Sequence, residues 1–191
     1  MKVHVLALLG LLSAQATPVQ PDIARLQAEF AAAVARVPRF EPDRFPALPP
    51  TVRQAFTDIN CRVPQLGLTS GLASVIQGEF AAAGQRDWAA LCSDGSASTV
   101  RVVWGGPARC EGGVGTGDDL QAMTVITTGV IGFDRRITPA AMTLINFYLK
   151  RNGETLPERA AHDAIEDGSE KMSVLYYCHA GRWLTLAGGN H

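Results

Sequence analysis

Apolar side chains recur at steps of three and four in three stretches of the chain, a spacing that places them on one face of a helix. The first stretch, residues 22–37, is rich in alanine, which favours helix. The second opens with Thr51–Gln54, a capping-box pattern. The third follows Thr138-Pro139, an N-cap with proline at the first helical position, and closes at Asn152-Gly153. The three apolar stripes are Ile23, Leu26, Phe30, Val34 and Val37; Val52, Ala55, Phe56 and Ile59; and Ala141, Leu144, Ile145, Tyr148 and Leu149.

Shorter segments rich in β-branched and aromatic residues, bounded by turn-forming residues, predict strands. By contrast, residues 105–119 carry six glycines and one proline and are predicted to form a loop. The predicted strands are residues 88–92 paired with 98–104, a single strand over 123–133 bent at Gly129, and residues 173–178 paired with 182–187.

These helices and hairpins do not alternate as strand–helix–strand units, so the predicted fold class is α+β. We expect an antiparallel or mixed sheet of hairpins with packing helices, stabilised by disulfides. The expected organisation has three parts: a signal peptide over residues 1–16, an N-terminal helix and proline-rich connector over 17–50, and a single domain over 51–191. Whether the first helix packs on the domain is left open by the sequence.

The start of the chain has the three features of a secretory signal peptide. Lys2 supplies a positive charge, residues 5–12 are apolar, and Ala14-Gln15-Ala16 is a small-residue cleavage pattern. The apolar run is far shorter than the roughly 20 residues that a membrane-spanning helix needs. We therefore expect the mature protein to begin at Thr17 and to reside in the periplasm or outside the cell, with no membrane span after cleavage.

Four cysteines, Cys61, Cys92, Cys110 and Cys178, predict two disulfides, because an even count in an exported chain indicates a disulfide framework. The favoured pairing is Cys61–Cys92 and Cys110–Cys178. It would join a short helix to the strand after it, and would tie the two hairpins into one sheet. The alternative that remains open is Cys92–Cys110, which would staple a single hairpin.

The charge balance points away from nucleic acid as a partner. Beyond residue 16 the chain has 16 basic and 18 acidic side chains in no long block of one sign, which is not the basic footprint of a nucleic-acid binder. The glycine-rich residues 112–117 resemble the start of a phosphate-binding loop. Asp118 and Asp119 follow, however, where lysine and serine or threonine belong, and negative charge there repels phosphate. No cofactor is expected.

Residues 79–88 resemble the loop of an FG-GAP-type repeat, which binds calcium before a strand. Glu79 stands at the first ligand position, Gly84 at the turn and Asp87 at the last acid. Ala81 and Ala83 occupy two intervening ligand positions and have no side-chain oxygen, whereas calcium takes six to eight oxygen ligands. The resemblance covers about residues 78–104, implies a hairpin geometry, and comes with the expectation that no metal binds.

A broader resemblance, over about residues 60–187, is to an uncharacterised group of exported bacterial proteins that carry this degenerate repeat. It implies a fold and an exported location, and no reaction. The segments that carry it are Asn60–Gln65, Gly84–Ser93, His162–Glu166, Tyr176-Tyr177 and Gly181–Leu184.

The densest group of titratable side chains is His162, Asp163 and Glu166, the candidate catalytic residues. A histidine beside carboxylates can orient a proton transfer, and in a helix His162 and Glu166 would share a face. A solvated acidic turn is the structural alternative, and no nucleophile motif accompanies the group. We therefore expect a non-catalytic module that binds an unknown ligand or a cell-envelope partner. The alternative is a small exported hydrolase that uses His162 with Asp163 or Glu166 as general acid and base.

Overall fold

The computed structural model describes residues 22–67, 72–169 and 172–190. The predicted signal peptide and the expected start at Thr17 lie outside these residues. The described chain contains three α-helices, one 3-10 turn and twelve strands, all paired antiparallel. In chain order they are α1 (Ile23–Arg36), β1 (Arg39–Phe40), the 3-10 turn (Pro42–Arg44), α2 (Pro50–Asp58), β2 (Val63–Pro64), β3 (Val75–Gly78), β4 (Asp87–Ser93), β5 (Ala97–Val103), β6 (Val114–Asp118), β7 (Met123–Thr127), β8 (Val130–Phe133), β9 (Arg136–Ala140), α3 (Met142–Asn152), β10 (Ala164–Gly168), β11 (Met172–His179) and β12 (Arg182–Asn190).

Two four-stranded antiparallel sheets face each other across the main core. The first sheet has the order β3-β4-β5-β6 and the second the order β12-β11-β10-β9. Ala89 and Leu91 of β4 point into this core, where they meet Ile137 and Ile165 of the second sheet. Alternate residues of a strand point to opposite faces, so Trp88 and Ala90 face outward and pack in a second cluster with Phe56 of α2.

A helix covers the outer face of each sheet. Phe56 of α2 lies on the outer face of the first sheet, together with Phe45 and Leu48 of the preceding connector. Ile145 and Tyr148 of α3 pack on the outer face of the second sheet. The order of layers is therefore helix, sheet, sheet, helix, which agrees with the expected α+β class although strands dominate. The connector over 38–50 is part of the domain's core rather than a free spacer.

Helix α1 packs on the body through its last turns and is capped at Asp22, whose side chain accepts a hydrogen bond from the Arg25 amide. Ala33 and Val37 are buried in the main core beside the β7–β8 hairpin. The helix predicted over 22–37 is confirmed, and the structure answers the open question: the C-terminal half of α1 covers the domain.

Both disulfides form in the favoured pairing. The Cα atoms of Cys61 and Cys92 are 4.8 Å apart, and those of Cys110 and Cys178 are 5.8 Å apart. The expectation that the second bridge would tie two hairpins into one sheet is wrong. The bridge connects the loop after β5 to β11, so it joins one sheet to the other across the core.

The glycine-rich segment predicted to be a loop contains a strand. Val114–Asp118 is β6, which pairs with β5 as the edge of the first sheet. A Cβ on Gly115 would lie 2.6 Å from Asp167 Oδ2 and 2.8 Å from Tyr176 Cε2, and one on Gly117 would lie 3.0 Å from Arg135 Nη1. At Gly115 and Gly117 the strand therefore passes so close over charged and aromatic side chains that a Cβ would crowd them. Such a close approach is a reason for glycine within a strand.

Two further predictions are wrong at element boundaries. Thr138-Pro139 lies in β9 rather than opening a helix, and α3 begins after Ala141. β9 is an edge strand, where the missing amide of a proline is tolerated. Residues 123–133 form the hairpin β7–β8, with Gly129 at φ 77° in the turn rather than in a bent strand.

The capping box predicted at Thr51 does not form. Helix α2 begins one residue earlier, at Pro50, and no side chain caps it. Proline at the first helical position has φ already suited to a helix and has no amide to satisfy, so it can start a helix without a cap. Gln54 donates instead to Asp58 Oδ1 at 2.7 Å.

Candidate functional site

His162 lies in the bend before β10 and is 8% exposed. Its imidazole stacks on the ring of Tyr177, with centroids 4.4 Å apart and planes 4° from parallel. Its Nδ1 lies 3.0 Å from the backbone oxygen of Asp163. Among the described residues, no carboxylate contacts the imidazole.

Asp163 connects this bend to the loop that resembles an FG-GAP repeat. Its Oδ2 accepts a hydrogen bond from the Glu79 amide at 3.1 Å, and its own amide donates to the Glu79 carbonyl at 3.0 Å. These two bonds position the start of the loop against the second sheet, so the carboxylate of Asp163 serves the backbone.

Glu166 lies in β10, where its side chain points to the face covered by α3. It accepts hydrogen bonds from Ser173 Oγ at 2.6 Å, Thr138 Oγ1 at 3.3 Å and the Tyr148 hydroxyl at 3.4 Å. Burial, followed by the negative charge of Glu166, raises the pKa of Tyr148. Residues 164–168 form strand β10, so this segment is not the helix that would place His162 and Glu166 on one face. Ala164, Ile165 and Asp167 are buried, so it is not a solvated turn. The structure therefore does not bring His162, Asp163 and Glu166 together.

The loop before β4 closes on Asp87, which is fully buried. Its Oδ2 accepts hydrogen bonds from the amides of Phe80 and Ala81, and its Oδ1 from the amide of Gly105 and the side chain of Gln85. Backbone and amide donors thus take the place that a cation would have on this carboxylate. Across the described residues, no group of three or more potential ligand side chains is placed to hold a metal ion.

A cleft of about 390 Å³ opens between the edge strand β6 of the first sheet and strands β10 and β11 of the second. Both apolar and polar groups line it, a composition typical of small-molecule sites. Its lining includes Thr116 and Asp118 on one side, Met123 and Thr124 of β7 on another, and Val174 and Tyr176 opposite.

An ion pair, Arg135–Asp167, forms the floor of the cleft. Arg135 Nε donates to Asp167 Oδ1 at 2.9 Å and Nη2 donates to Oδ2 at 2.6 Å. The remaining donors go to the carbonyl and hydroxyl of Ser98 and to the carbonyl of Gly115. All five N–H bonds of the guanidinium therefore have acceptors within the protein. Arg135 fixes the cleft walls and has no donor left for a ligand.

Tyr176 lies half-buried in the wall beside this ion pair. Burial raises the pKa of its phenol, and the negative charge of Asp167 raises the pKa further, against the opposing effect of Arg135. The hydroxyl is therefore neutral at physiological pH and available as a hydrogen-bonding group. No sequence motif pointed to this cleft. The alternation of Gly115 and Gly117 inside a strand was the one signal of a close approach.

A second ion pair joins Arg39 of β1 to Asp119, which follows β6 and is fully buried. Arg39 Nη2 is 3.0 Å from Asp119 Oδ2, and Ser93 Oγ donates to the same oxygen at 2.5 Å. Arg39 Nε also donates to Ser93 Oγ. The cluster therefore attaches β1 to the first sheet.

The three tryptophans occupy half-buried core positions. Trp104 of the segment after β5 and Trp183 of β12 stack across the two sheets, with ring centroids 5.8 Å apart. Trp88 packs in the cluster around Phe56. The stacked faces of Trp104 and Trp183 therefore contact each other within the protein.

The chain matches no protein-family model, no curated protein and no solved structure. The resemblance to FG-GAP repeats and to exported bacterial proteins therefore stays a prediction. None of the helices in the described part of the chain has the length and apolar character needed to cross a membrane.

Proposed function

We propose that this protein is an exported, non-catalytic binding module that takes a small neutral or cationic molecule in the cleft between the two sheets. The observation that carries the proposal is the cleft of about 390 Å³, whose volume lies in the range of small-ligand sites and which combines apolar walls with a few polar groups.

The charge state of the lining supports this ligand class. Arg135 is the sole basic residue in the described lining, and all its N–H donors already form hydrogen bonds within the protein. No basic side chain of this lining therefore has a donor free to bind an anionic ligand. Asp118 is exposed at the rim and the Tyr176 hydroxyl lies in the wall. These groups suit hydroxyl or ammonium donors on a ligand.

The contacts of the candidate catalytic residues support binding over hydrolysis. A general acid–base pair needs a carboxylate within hydrogen-bond reach of the imidazole and an opening to substrate. His162 instead stacks on Tyr177, and Asp163 and Glu166 are each hydrogen-bonded elsewhere.

Export is supported by the two disulfides, since such bonds persist in oxidising compartments and are rare in the cytosol. The expected location is the periplasm or the extracellular space.

The binding proposal is tested by nuclear magnetic resonance, with ethanolamine, glucose and inorganic phosphate as probes. The reporters are the backbone amides of Gly115, Gly117 and Gly168, which line the cleft. We expect ethanolamine or glucose to shift these three resonances in a saturable manner and phosphate to leave them unchanged. Shifts from phosphate alone, or none from any probe, would contradict the proposal.

Two methionines provide a matched pair of variants for the same titration. Met172 lines the cleft and is 64% exposed, whereas Met142 is 44% exposed at the start of α3 and lies outside it. Met172→Trp should fill the cleft and abolish the shifts, and Met142→Trp should preserve them. Equal behaviour of the two variants would place binding elsewhere.

A further inference from the structure

The outer face of the second sheet, which α3 covers in part, carries a pocket separate from the cleft. Under α3 this face is apolar, with Ala140 and Ala164 packed against Ile145. Two residues further along β9 and β10, on the same face, lie Thr138 and Glu166. The pocket that opens there, here called the outer pocket, has a volume of about 190 Å³. Its lining is Arg136, Thr138, Glu166, Gly168, Ser169 and Ser173.

A glycine leaves the floor of the outer pocket open. In the cross-strand register Gly168 lies between Arg136 of β9 and Ser173 of β11. Side chains at facing positions of an antiparallel sheet normally contact one another. Because Gly168 has no side chain, the protein does not fill the space between Arg136 and Ser173. The volume of 190 Å³ equals that of about six water molecules, which suits a ligand of a few non-hydrogen atoms.

Two opposite charges line the outer pocket without neutralising each other. Arg136 is half-buried, and among the residues that the structure describes its guanidinium forms no hydrogen bond or ion pair. Glu166 Oε1 accepts from Ser173 and Tyr148, whereas Oε2 has a single donor, Thr138 at 3.3 Å. The five N–H donors of Arg136 and one oxygen of Glu166 therefore have capacity for a ligand. A partly buried cation without a partner is unfavourable, so a carboxylate brought to Arg136 would be stabilised.

We infer that the outer pocket binds a small zwitterion, an α-amino acid with a short side chain. Its carboxylate accepts two parallel N–H bonds from Arg136, the geometry for which a guanidinium is best suited. Its ammonium donates to Glu166 Oε2. A simple anion would be repelled by Glu166 and a simple cation by Arg136, whereas a zwitterion satisfies both charges of a pocket whose own charges sum to zero. Neither Arg136 nor Glu166 lines the cleft between the sheets, so this site is independent of the proposed ligand there.

The test is a nuclear magnetic resonance titration of the disulfide-bonded protein with L-alanine. The reporters are the backbone amides of Thr138 and Glu166, which line the outer pocket and not the cleft. The amides of Gly115 and Gly117 report on the cleft in the same spectra, so binding at one site is distinguished from binding at the other.

We expect L-alanine to shift Thr138 and Glu166 in a saturable manner at millimolar concentration. Two matched probes each lack one charge: propionate lacks the ammonium and ethylamine lacks the carboxylate. Each should bind at least about tenfold more weakly, because one charge of the pocket then stays unpaired. Equal binding of either probe, shifts confined to Gly115 and Gly117, or no shift at all from L-alanine would overturn the inference.

Two variants assign the charged contacts. Arg136→Gln should weaken L-alanine binding about tenfold or more, whereas Arg101→Gln, which removes an exposed arginine of β5, should leave it unchanged. In Glu166→Gln the preference for L-alanine over propionate should disappear, because the amide neither attracts the ammonium nor repels a carboxylate. Arg136 has no partner within the described protein, so its variant should fold and decides the matter even if Glu166→Gln is unstable. Unchanged binding in Arg136→Gln, or a preference that survives in Glu166→Gln, would refute the assignment.

Discussion

At the scale of single residues, the buried carboxylates of this protein are structural organisers. Asp87 and Asp119 are fully buried and Asp167 is 5% exposed. Asp87 is held by backbone amides and the Gln85 side chain, and the other two pair with Arg39 and Arg135. A buried charge is tolerated when hydrogen bonds and an opposite charge replace its water shell, so these three acids fix loops and strand edges.

Asp87→Ala should lower the free energy of unfolding by about 2–4 kcal/mol, because four donors then lose their acceptor at a fully buried position. Chemical denaturation gives the value. Asp43→Ala is the control, since Asp43 is exposed and the change should be within about 0.5 kcal/mol of wild type. Equal effects of the two variants would refute the role given to Asp87.

Calcium should not bind the loop before β4, because donors already occupy both oxygens of Asp87 and Glu79 Oε2 accepts from the Gly84 amide. Calorimetric titration of chelator-treated protein with calcium chloride should give no heat of binding. A micromolar site that disappears in Asp87→Asn would show that the loop opens to a metal.

His162 should prove to be a packing residue. His162→Ala removes the ring that stacks on Tyr177 and should cost roughly 0.5–3 kcal/mol of stability, whereas His162→Phe keeps a flat ring and should cost less. Thermal denaturation compares them. A hydrolase would respond differently: both variants would abolish an activity found by substrate screening, and His162→Phe would do so without loss of stability.

At the scale of elements, periodic patterns predicted the parts of the chain that bury one face. Helix α1, the β4–β5 hairpin and the β11–β12 hairpin lie where apolar spacing placed them. The errors fall on β6, on β9 and on the start of α2. In β6 and β9, a glycine or proline has its reason in another part of the fold, either a side chain crossed at close range or an edge position, and local spacing carries no record of that neighbour.

Gly115→Ala should destabilise β6 far more than Gly112→Ala. Both glycines have positive φ, 65° and 72°, so alanine strains both backbones by about 1 kcal/mol. A Cβ at Gly112 meets nothing within 4 Å, whereas one at Gly115 meets Asp167 and Tyr176. We expect a further loss of roughly 1–3 kcal/mol at Gly115, measured by urea denaturation. Equal losses would mean that β6 does not pass over the ion pair.

At the scale of the whole molecule, the disulfides hold the layers together in two different ways. Cys61–Cys92 fastens α2 to the outer face of the first sheet, and Cys110–Cys178 fastens one sheet to the other. The pairing was predicted as the favoured one of two alternatives, the other being Cys92–Cys110, although the expected union of two hairpins in one sheet was wrong. The cleft was not predicted from the sequence, because it lies where two sheets approach each other. Its floor joins Arg135 and Asp167, which are 32 positions apart.

Replacing each cystine by two serines should cost roughly 3–4 kcal/mol, with the larger loss for Cys110–Cys178 because its loop spans 68 residues against 31. Denaturation of the two double variants measures the losses. Near-ultraviolet circular dichroism should change more when Cys110–Cys178 is removed, since Trp183 pairs with Cys178 and stacks on Trp104. A smaller loss for that bridge would argue against loop closure as the main effect.

The two bridges also determine how the molecule answers a mechanical pull on its ends. Tension that enters at α1 and leaves at β12 passes through the sulfur atoms, so the chain between Cys61 and Cys92 and between Cys110 and Cys178 carries no load. At about 3.5 Å per residue, these spans withhold roughly 340 Å of contour length. With both bridges intact these spans cannot extend, and a reductant would free them in two separate steps, one for each bridge.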